Sequence, residues 1–360
     1  MPGVYISYPF CAQKCTYCNF ASGVLPREME AKYLAALREE IEKTQWPWTP
    51  ETVYLGGGTP SQMDPKALAA LLRAIPGKCG GDKWIEATVE AAPGTITRDK
   101  AAAWREAGID RVSLGVQSFA GQELARTGRK HDAETVERDV AVLRAAGIEK
   151  VSIDLIAGLP SQTEASWRIS LDYVEGLRVP HVSVYMLEVD EDSRLGRELI
   201  AGGSRYSAGD VPSDDAIVSF YEIATERLKS LGIERYEISN FARPGSESRH
   251  NLKYWRREPY LGFGADAHSF DGEVRWQNPE TAARYISGFP PPPRVRADAR
   301  GEKWFLGLRL REGVEIAAQD EFGAVIERIV GGGFAERSGS RVRLTDRGIL
   351  VSNEIFAEFV

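Results

Sequence analysis

The chain has 360 residues, of which 43% are hydrophobic and 27% are charged, and its formal net charge is −7. This balance is typical of a folded globular protein and excludes a largely disordered chain, while the negative charge argues against broad binding to nucleic-acid phosphates. No apolar run approaches the roughly 18 residues that a membrane helix needs, and the start MPGVYISYPF lacks a signal-peptide pattern, so we expect a cytoplasmic protein.

Short β-rich segments alternate with helical segments from the start of the chain. VYISY (4–8) precedes the amphipathic segment 27–43, and TVYLGGG (52–58) follows it. The alternation continues through WIEATVEA, RVSLGVQ, KVSIDLIAG, HVSVYML and RYEIS. Repeated βα units require parallel strands joined by crossover helices, which leaves a TIM-type barrel, full or partial, or an open doubly wound sheet.

Unusual residues that directly follow the predicted strands favour the barrel. They are Cys11, the segment GGGTP (56–60), Glu90, Gln117 and Asp154. The loops at the carboxyl ends of barrel strands usually form the active site, and contributions from many strands suit a barrel better than an open crevice. We therefore predict an α/β fold with a partial TIM-type barrel.

A change in composition at residues 288–300 predicts a domain boundary. The segment GFPPPPRVRADAR contains four consecutive prolines, which are typical of a stiff linker. Residues 1–287 would then form the barrel domain, and residues 301–360 a small C-terminal domain. Its short strand-like and helical segments, separated by a GGG break, suggest a winged-helix-like arrangement.

Cys11, Cys15 and Cys18 lie within eight residues, in CAQKCTYC. A closed metal site normally takes four protein ligands, so a triplet indicates either a distant fourth ligand or an open coordination position. The soft thiolates favour an iron–sulfur cluster or zinc. Zinc would need a further ligand such as Cys79, and a third interpretation, an unligated triplet, is disfavoured because clustered free thiols are reactive.

This spacing, with GGGTP after the second predicted strand, resembles the radical SAM superfamily. In that superfamily a C-x3-C-x2-C loop holds a [4Fe–4S] cluster, and the fourth iron is left for the amino and carboxylate groups of S-adenosylmethionine. The resemblance implies both cofactors and a partial (β/α)6-type barrel. Within the superfamily, the chain most resembles the coproporphyrinogen-oxidase-like branch and its haem-chaperone members. The segments that carry this resemblance are EAAPGT, RVSLGVQSF, TGRKH, SIDLIAGLPSQT, YEISNFARPG, RHNLKYW and YLGFGADAHSF.

The resemblance also implies which residues bind S-adenosylmethionine. They are Tyr5, Tyr17, Gly57, Gly58, Thr59, Glu90, Gln117, Arg129 and Asp154. Glu90 would receive the amino group and Arg129 the carboxylate, while the glycines let the backbone approach the ligand. Other interpretations are a simple strand-ending turn for the glycines and a solvated basic surface for Arg129. Ala92 stands where the family often has asparagine, so we expect one side-chain hydrogen bond to be absent at that strand end.

His250 begins the segment HNLKYW (250–255), which matches an HNxxYW block of the haem-chaperone members. Imidazole is a common ligand of haem iron, and the aromatic residues of the block can stack on a porphyrin, so the resemblance implies a haem ligand. The other interpretation is a hydrogen-bonded structural histidine in the core. His268 is a weaker haem candidate, and we expect His131 and His181 to be structural or surface residues.

The resemblance implies a haem chaperone that receives haem as cargo and delivers it to acceptor haemoproteins, such as membrane-associated respiratory enzymes. It leaves both enzymatic activity and a homodimer open. The rival is an oxygen-independent coproporphyrinogen III dehydrogenase, which decarboxylates a propionate by radical chemistry. Those enzymes have a further cysteine where this chain has Phe20, and a longer segment before the cluster loop. A nucleic-acid-binding regulator is a third class, but no stripe of aromatic and basic residues supports it.

Overall fold

The computed structural model describes residues 2–76, 84–288, 292–317 and 320–360. Cys79, the possible fourth zinc ligand, lies outside the described residues, as do two of the four consecutive prolines. Within the described ranges, twelve strands form one mixed sheet, and three further strands form a small antiparallel sheet.

Six parallel strands form the centre of the larger sheet. They are β1 (Gly3–Tyr8), β2 (Thr52–Gly57), β3 (Glu86–Ala91), β4 (Arg111–Gln117), β5 (Lys150–Ala157) and β6 (His181–Met186). Their order in the sheet is their order in the chain, and each neighbouring pair is parallel. The predicted α/β fold, with a central parallel sheet built from βα units, is confirmed.

Helices between these strands cover one face of the sheet. They are α1 (Arg27–Lys43), α2 (Pro65–Ala74), α3 (Arg98–Ala107), α4 (Gly121–Arg126), α5 (Ala133–Ala145) and α6 (Glu164–Leu177). In α1 the fully buried Tyr33, Leu37 and Ile41 recur every four residues and form one apolar stripe against the sheet. The start of α5 is fixed by Asp132, whose carboxylate accepts a hydrogen bond from the N–H of Thr135 at 2.9 Å.

Side chains along the parallel strands alternate between an apolar and a polar environment. In β2, Val53 and Leu55 belong to the core under the helices. Residues paired across neighbouring strands lie on the same face of a sheet. The opposite face, which is the inner face of the partial barrel, is therefore lined by Tyr5, Tyr54, Thr88, Glu90, Ser113, Ser152, Asp154, Ser183 and Tyr185. This polar inner face is suited to binding a polar ligand.

The chain after β6 extends the sheet on both sides. It contains α7 (Arg194–Ile200), α8 (Asp214–Ser230), β7 (Glu234–Arg235), β8 (Asn240–Ala242), α9 (Arg249–Trp255), β9 (Tyr260–Phe263), β10 (His268–Phe270), β11 (Val274–Gln277), α10 (Ala282–Ile286) and β12 (Val295–Arg296). Strand β8 pairs with β6 antiparallel, whereas β9 pairs with β1 parallel. The carboxyl end of β9 therefore lies beside that of β1.

The C-terminal part combines helices with the small antiparallel sheet. Its elements are α11 (Ala299–Gly307), β13 (Val314–Glu315), α12 (Gly323–Gly331), β14 (Ala335–Ser338), β15 (Arg341–Leu344), α13 (Asp346–Leu350) and α14 (Ser352–Ala357), with β15 in the middle of the sheet. The predicted linker contains β12, which pairs with β11, and its last two residues begin α11. The winged-helix-like arrangement and the boundaries at 287 and 301 stay predictions. Of the helices in the described ranges, none is both long and apolar enough to cross a lipid bilayer.

Candidate functional site

The three predicted cluster ligands lie on one loop after β1, residues 11–18, which we call the cysteine loop. All three thiols are free and partly exposed. Burial raises the pKa of Cys11, hydrogen bonds with Thr59 and Ser22 lower it, and the charges of Cys18 and Cys15 raise it further. Cys15 and Cys18 thus lie close enough to Cys11 to act on its pKa, as expected of ligands to one cluster.

The three soft thiolates of the cysteine loop fit an iron–sulfur cluster with one iron left without a protein ligand. Among the described residues, no group of three or more histidine, cysteine, aspartate or glutamate side chains is placed to hold a single metal ion. In a [4Fe–4S] cluster each thiolate binds a different iron, so the three sulfurs are spaced around a larger object.

The glycine segment at the end of β2 packs against the cysteine loop. A side chain at Gly58 would place its Cβ 2.9 Å from Sγ of Cys11 and 2.8 Å from the carbonyl oxygen of Phe10. Thr59 secures this contact by donating its backbone N–H to the carbonyl of Phe10 at 2.9 Å. Gly57 has a φ of +107°, a left-handed conformation that favours glycine. The segment is therefore more than a strand-ending turn, because its lack of side chains allows the loop to approach.

Glu90 projects from β3 onto the inner face, where its carboxylate is held from two sides. The hydroxyl of Tyr54 donates to Oε1 at 2.8 Å, and the N–H of Gly57 donates to Oε2 at 3.1 Å. Burial raises the pKa of Glu90 to about 7; the charge of Asp154 acts in the same direction, and the two hydrogen bonds oppose it. Glu90 therefore lies directly beside the glycine segment, where the resemblance places an acceptor for an ammonium group. Nearby, the N–H of Ala92 donates to Oγ of Ser61 at 3.2 Å.

The raised pKa of Glu90 predicts a stability difference that depends on pH. A carboxyl whose pKa is raised from 4.5 to about 7 in the folded state stabilises the fold below pH 4.5, and this contribution is lost as the pH rises through 7. Between pH 5 and pH 8 we expect the free energy of unfolding of the wild type to fall by about 2 kcal/mol more than that of Glu90→Gln. Urea unfolding of both proteins at the two pH values measures this, and equal changes in both would contradict the assignment.

Arg129 connects the cysteine loop to β4. Its Nε donates to the hydroxyl of Tyr17 at 3.0 Å, and its Nη1 donates to the carbonyl of Gly115 at 2.6 Å. Burial lowers the pKa of Arg129. The charges and hydrogen bonds of Tyr17 and Cys15 raise it by more, so the net shift is upward. Gln117 follows an irregularity in the β4 ladder and has a φ of +71°, so its side chain is aimed back along the strand toward Gly115. These contacts place Arg129 in the site rather than on a solvated surface.

Asp154 lies on the inner face within a ring of serines. Ser113 donates to it at 2.9 Å and Ser183 at 2.8 Å, and Ser152 adds a longer contact at 3.3 Å. Burial raises the pKa of Asp154 despite these hydrogen bonds. The partners that a buried carboxylate requires are thus supplied by the fold, and a contact to ribose stays a prediction.

The segment after β6 covers the cysteine loop, which the sequence did not indicate. The N–H of Leu195, in α7, donates to the carbonyl of Thr16 at 2.8 Å. Nδ2 of Asn19 donates to Oδ2 of Asp190 at 2.5 Å. The N–H of Thr16 also donates to the carbonyl of Thr127 at 3.3 Å. The cysteine loop is therefore positioned by elements that lie far away in the chain.

His250 lies at the opposite end of the strands from the cysteine loop. Its side chain is 0% exposed, and its Nδ1 and Nε2 each lie 2.8 Å from a hydroxyl oxygen, of Thr52 and Tyr254 respectively. Burial lowers the pKa of His250 to about 3, and the charge of Lys253 adds to this, so the ring is neutral. This geometry matches the structural interpretation, because neither nitrogen is free for iron. Haem ligation by His250 stays a prediction that requires these hydrogen bonds to break.

The block containing His250 packs against the inner-face residue Tyr54. The His250 ring stacks on Tyr54 with centroids 5.3 Å apart, and Tyr54 in turn donates to Glu90. One face of the Trp255 ring is covered by the guanidinium of Arg309, which lies 4.3 Å from the ring centroid. The aromatic residues of the block therefore pack within the fold and support the residues predicted to bind the cofactor.

Two inner-face residues were missed by the sequence reasoning. Tyr185 of β6 is 42% exposed and lies two residues after Ser183, a hydrogen-bond partner of Asp154. Burial raises the pKa of Tyr5, and the charge of Asp266, in the loop after β9, adds to the rise. The alternation of polar and apolar residues in HVSVYM was a signal for Tyr185. Asp266 had no local signal, because its position depends on the pairing of β9 with β1.

The described residues thus gather the predicted cofactor ligands at one end and along one face of the partial barrel. They are Tyr5, Cys11, Cys15, Tyr17, Cys18, Gly57, Gly58, Thr59, Glu90, Gln117, Arg129 and Asp154. His250 is the predicted residue that lies apart from them. The arrangement can hold a cluster on the cysteine loop and a polar ligand on the inner face.

Comparison with known proteins identifies relatives of the chain. The family model of the radical SAM superfamily matches residues 5–174. The chain is 32% identical to heme chaperone HemW of Lactococcus lactis, over 99% of this chain and 96% of that protein. It is 34% identical to heme chaperone HemW of Bacillus subtilis, over 100% of this chain and 99% of that protein.

A solved structure shows the same fold. Coproporphyrinogen III oxidase (HemN) of Escherichia coli, a radical SAM enzyme, matches with a TM-score of 0.82. The match covers 99% of this chain and 89% of the HemN chain. The two sequences are 22% identical, so this likeness concerns the fold alone.

Proposed function

We propose, because the chain belongs to the HemW family of heme chaperones within the radical SAM superfamily, that it binds haem and delivers it to acceptor haemoproteins. The observation that carries the proposal is the extent of the likeness. It covers nearly the whole chain in two heme chaperones, rather than only residues 5–174 of the radical SAM region. The polar inner face beside the cysteine loop provides a place where cofactor and cargo can meet.

The cofactors of radical SAM proteins are a [4Fe–4S] cluster and S-adenosylmethionine. The cysteine loop would hold the cluster through its three thiolates, leaving one iron to S-adenosylmethionine. Glu90 would accept hydrogen bonds from the amino group, and Arg129 would offer its planar fork to the carboxylate. Bound together, these cofactors supply one-electron chemistry. In this protein we propose that they regulate the loading and release of haem.

The proposed partners follow from the delivery of haem. The acceptors would be haemoproteins, including membrane-associated respiratory enzymes. This protein would bind them in the cytoplasm. A homodimer is the proposed assembly when the cluster is loaded. Nucleic acid is not a proposed partner, because the chain carries a net charge of −7.

The second candidate function is that of a coproporphyrinogen III dehydrogenase, favoured by the shared fold with HemN. One residue of the cysteine region opposes it. Phe20, which is 63% exposed, stands where the dehydrogenases of the resembling branch have a further cysteine. A phenyl ring offers neither a thiolate nor a proton to that chemistry.

Haem transfer distinguishes the two functions. The full-length protein, with its cluster reconstituted anaerobically, is loaded with haem, separated from free haem by gel filtration and mixed with an apo-haemoprotein. We expect the haem absorption band to move to the acceptor, and we expect no protoporphyrinogen when coproporphyrinogen, S-adenosylmethionine and a reductant are supplied. Formation of protoporphyrinogen without stable haem binding would overturn the proposal in favour of the dehydrogenase.

A further inference from the structure

The chain contains four histidines, and three of them use ring nitrogens within the fold. Both ring nitrogens of His250 are hydrogen-bonded, to Thr52 and Tyr254. His181 is 2% exposed, and its ring nitrogens lie 2.7 and 2.9 Å from side-chain hydroxyl oxygens. Nε2 of His131 lies 3.1 Å from a backbone carbonyl oxygen, and burial lowers its pKa to about 4. His250 and His181 therefore have no unused ring nitrogen, whereas His131 is half-buried and uses one of its two ring nitrogens within the fold.

His268 differs from the other three. The residue is exposed, and across the ranges that the structure covers no hydrogen bond is formed by its ring. Partial burial lowers the pKa of His268; Asp266 opposes this shift, and Arg275 adds to it. The imidazole is therefore neutral at neutral pH, which is the form that coordinates a metal.

The strand register places His268 on the inner face of the sheet. Phe270 pairs with Tyr260 in the antiparallel ladder of β10 and β9, so His268 stands opposite Gly262, two residues along each strand. Gly262 pairs in turn with Tyr5 of β1. The backbone of His268 packs directly on Gly262, because a Cβ on Gly262 would lie only 2.1 Å from the carbonyl oxygen of His268.

Electrostatics support this placement independently of the register. The charge of Asp266 acts on the pKa of both Tyr5 and His268. Asp266 is held in position by Nε2 of Gln277, which donates to its Oδ1 at 2.6 Å. His268 therefore lies in the same region as Tyr5, one of the residues predicted to bind S-adenosylmethionine.

We propose that His268 is the axial ligand of the haem iron, and that haem binds against the inner face beside Tyr5. This assignment rests on the proposed haem-chaperone function. It uses the histidine whose ring is neutral, exposed and not hydrogen-bonded, and imidazole is a common axial ligand of haem. It also brings the cargo to the end of the barrel that carries the cysteine loop. His250 then keeps a structural role under Tyr54.

The test is a haem titration of the full-length, cluster-reconstituted protein and three variants, His268→Gln, Gln277→Ala and His250→Gln. His268→Gln keeps a polar side chain but cannot replace the imidazole as a ligand. We expect it to lose the optical and electron paramagnetic resonance signals of imidazole-ligated ferric haem, and to bind haem about tenfold more weakly or worse. Free imidazole added to the variant should restore the signals. Gln277→Ala disturbs the same loop but keeps the imidazole, and we expect it to retain them.

The outcomes separate the ligand assignment from the function. If the wild type binds haem and His268→Gln shows the same spectrum and affinity, the assignment is wrong while the chaperone function stands. If folded His250→Gln loses the signals of imidazole-ligated haem while His268→Gln keeps them, His250 is the axial ligand. If the wild type does not bind haem, both the assignment and the proposed function fail. Thermal unfolding of each variant checks that it is folded.

Discussion

Replacing Cys15 with serine should leave the anaerobically reconstituted protein without its cluster. Bound iron should fall from about four atoms per chain to near zero, because two remaining thiolates cannot hold a [4Fe–4S] cluster against loss during desalting. The fold should survive, since the cysteine loop is also held by backbone hydrogen bonds of Cys11 and Thr16. Iron and sulfide analysis, together with the visible absorption spectrum, measures the effect.

Cys79→Ser is the matched control for this experiment. A cluster at this site needs only the cysteine loop, so this variant should keep full iron content and bind no zinc. If instead both variants lose the same metal, and that metal is zinc, then four cysteines form one structural zinc site. Full iron content in Cys15→Ser would contradict the assignment of the cluster ligands directly.

Glu86→Ala should destabilise the fold strongly. Glu86 is 1% exposed and lies 3.7 Å from Nη1 of Arg111, which is 2% exposed. Its carboxylate also accepts the N–H of His250 at 2.9 Å and that of Arg249 at 3.1 Å, at the start of α9. Removing it leaves a buried guanidinium without its carboxylate, so the free energy of unfolding should fall by about 3 to 5 kcal/mol.

Glu39→Ala is the control for the Glu86 variant. Glu39 forms an ion pair with Lys43 on the exposed side of α1, where solvent screens the charges. Its removal should leave the urea unfolding midpoint unchanged within error, whereas Glu86→Ala should unfold at a clearly lower urea concentration. If the two variants unfold together, the buried network at the amino ends of the strands does not hold α9 in place.

The parallel sheet and the cluster ligands could be predicted from the sequence because their signals are local. The alternation of β-rich and helical segments requires crossovers, and the spacing of Cys11, Cys15 and Cys18 is contained in one loop. The resemblance to the radical SAM superfamily and to its haem-chaperone members is confirmed by the family model and by the relatives. These features need no knowledge of which distant residues meet.

The polar inner face could have been predicted, but it was not. In RVSLGVQ and KVSIDLIA the polar residues occupy alternate positions, so Ser113 and Asp154 share a face that Val112 and Ile153 do not. Such alternation within parallel strands indicates that one face is not filled by apolar side chains. The serine partners of Asp154 follow from this pattern and from the register of the neighbouring strands.

The environments of the histidines could not be predicted, because they depend on long-range pairing. His250 is buried since α9 folds back across the amino ends of β2 and β3. His268 reaches the inner face since β9 pairs with β1, far away in the chain. The sequence ranked His250 above His268 as a haem ligand by its motif alone, whereas hydrogen bonding and exposure favour the opposite order.

The most direct test of the cluster and its open coordination position is the electron paramagnetic resonance spectrum of the reduced, reconstituted protein with and without S-adenosylmethionine. We expect a [4Fe–4S] signal whose g-values shift when S-adenosylmethionine is added, because the ligand completes the coordination of the iron that has no protein thiolate. A signal that does not change on addition, or a protein that contains zinc in place of iron, would contradict this assignment.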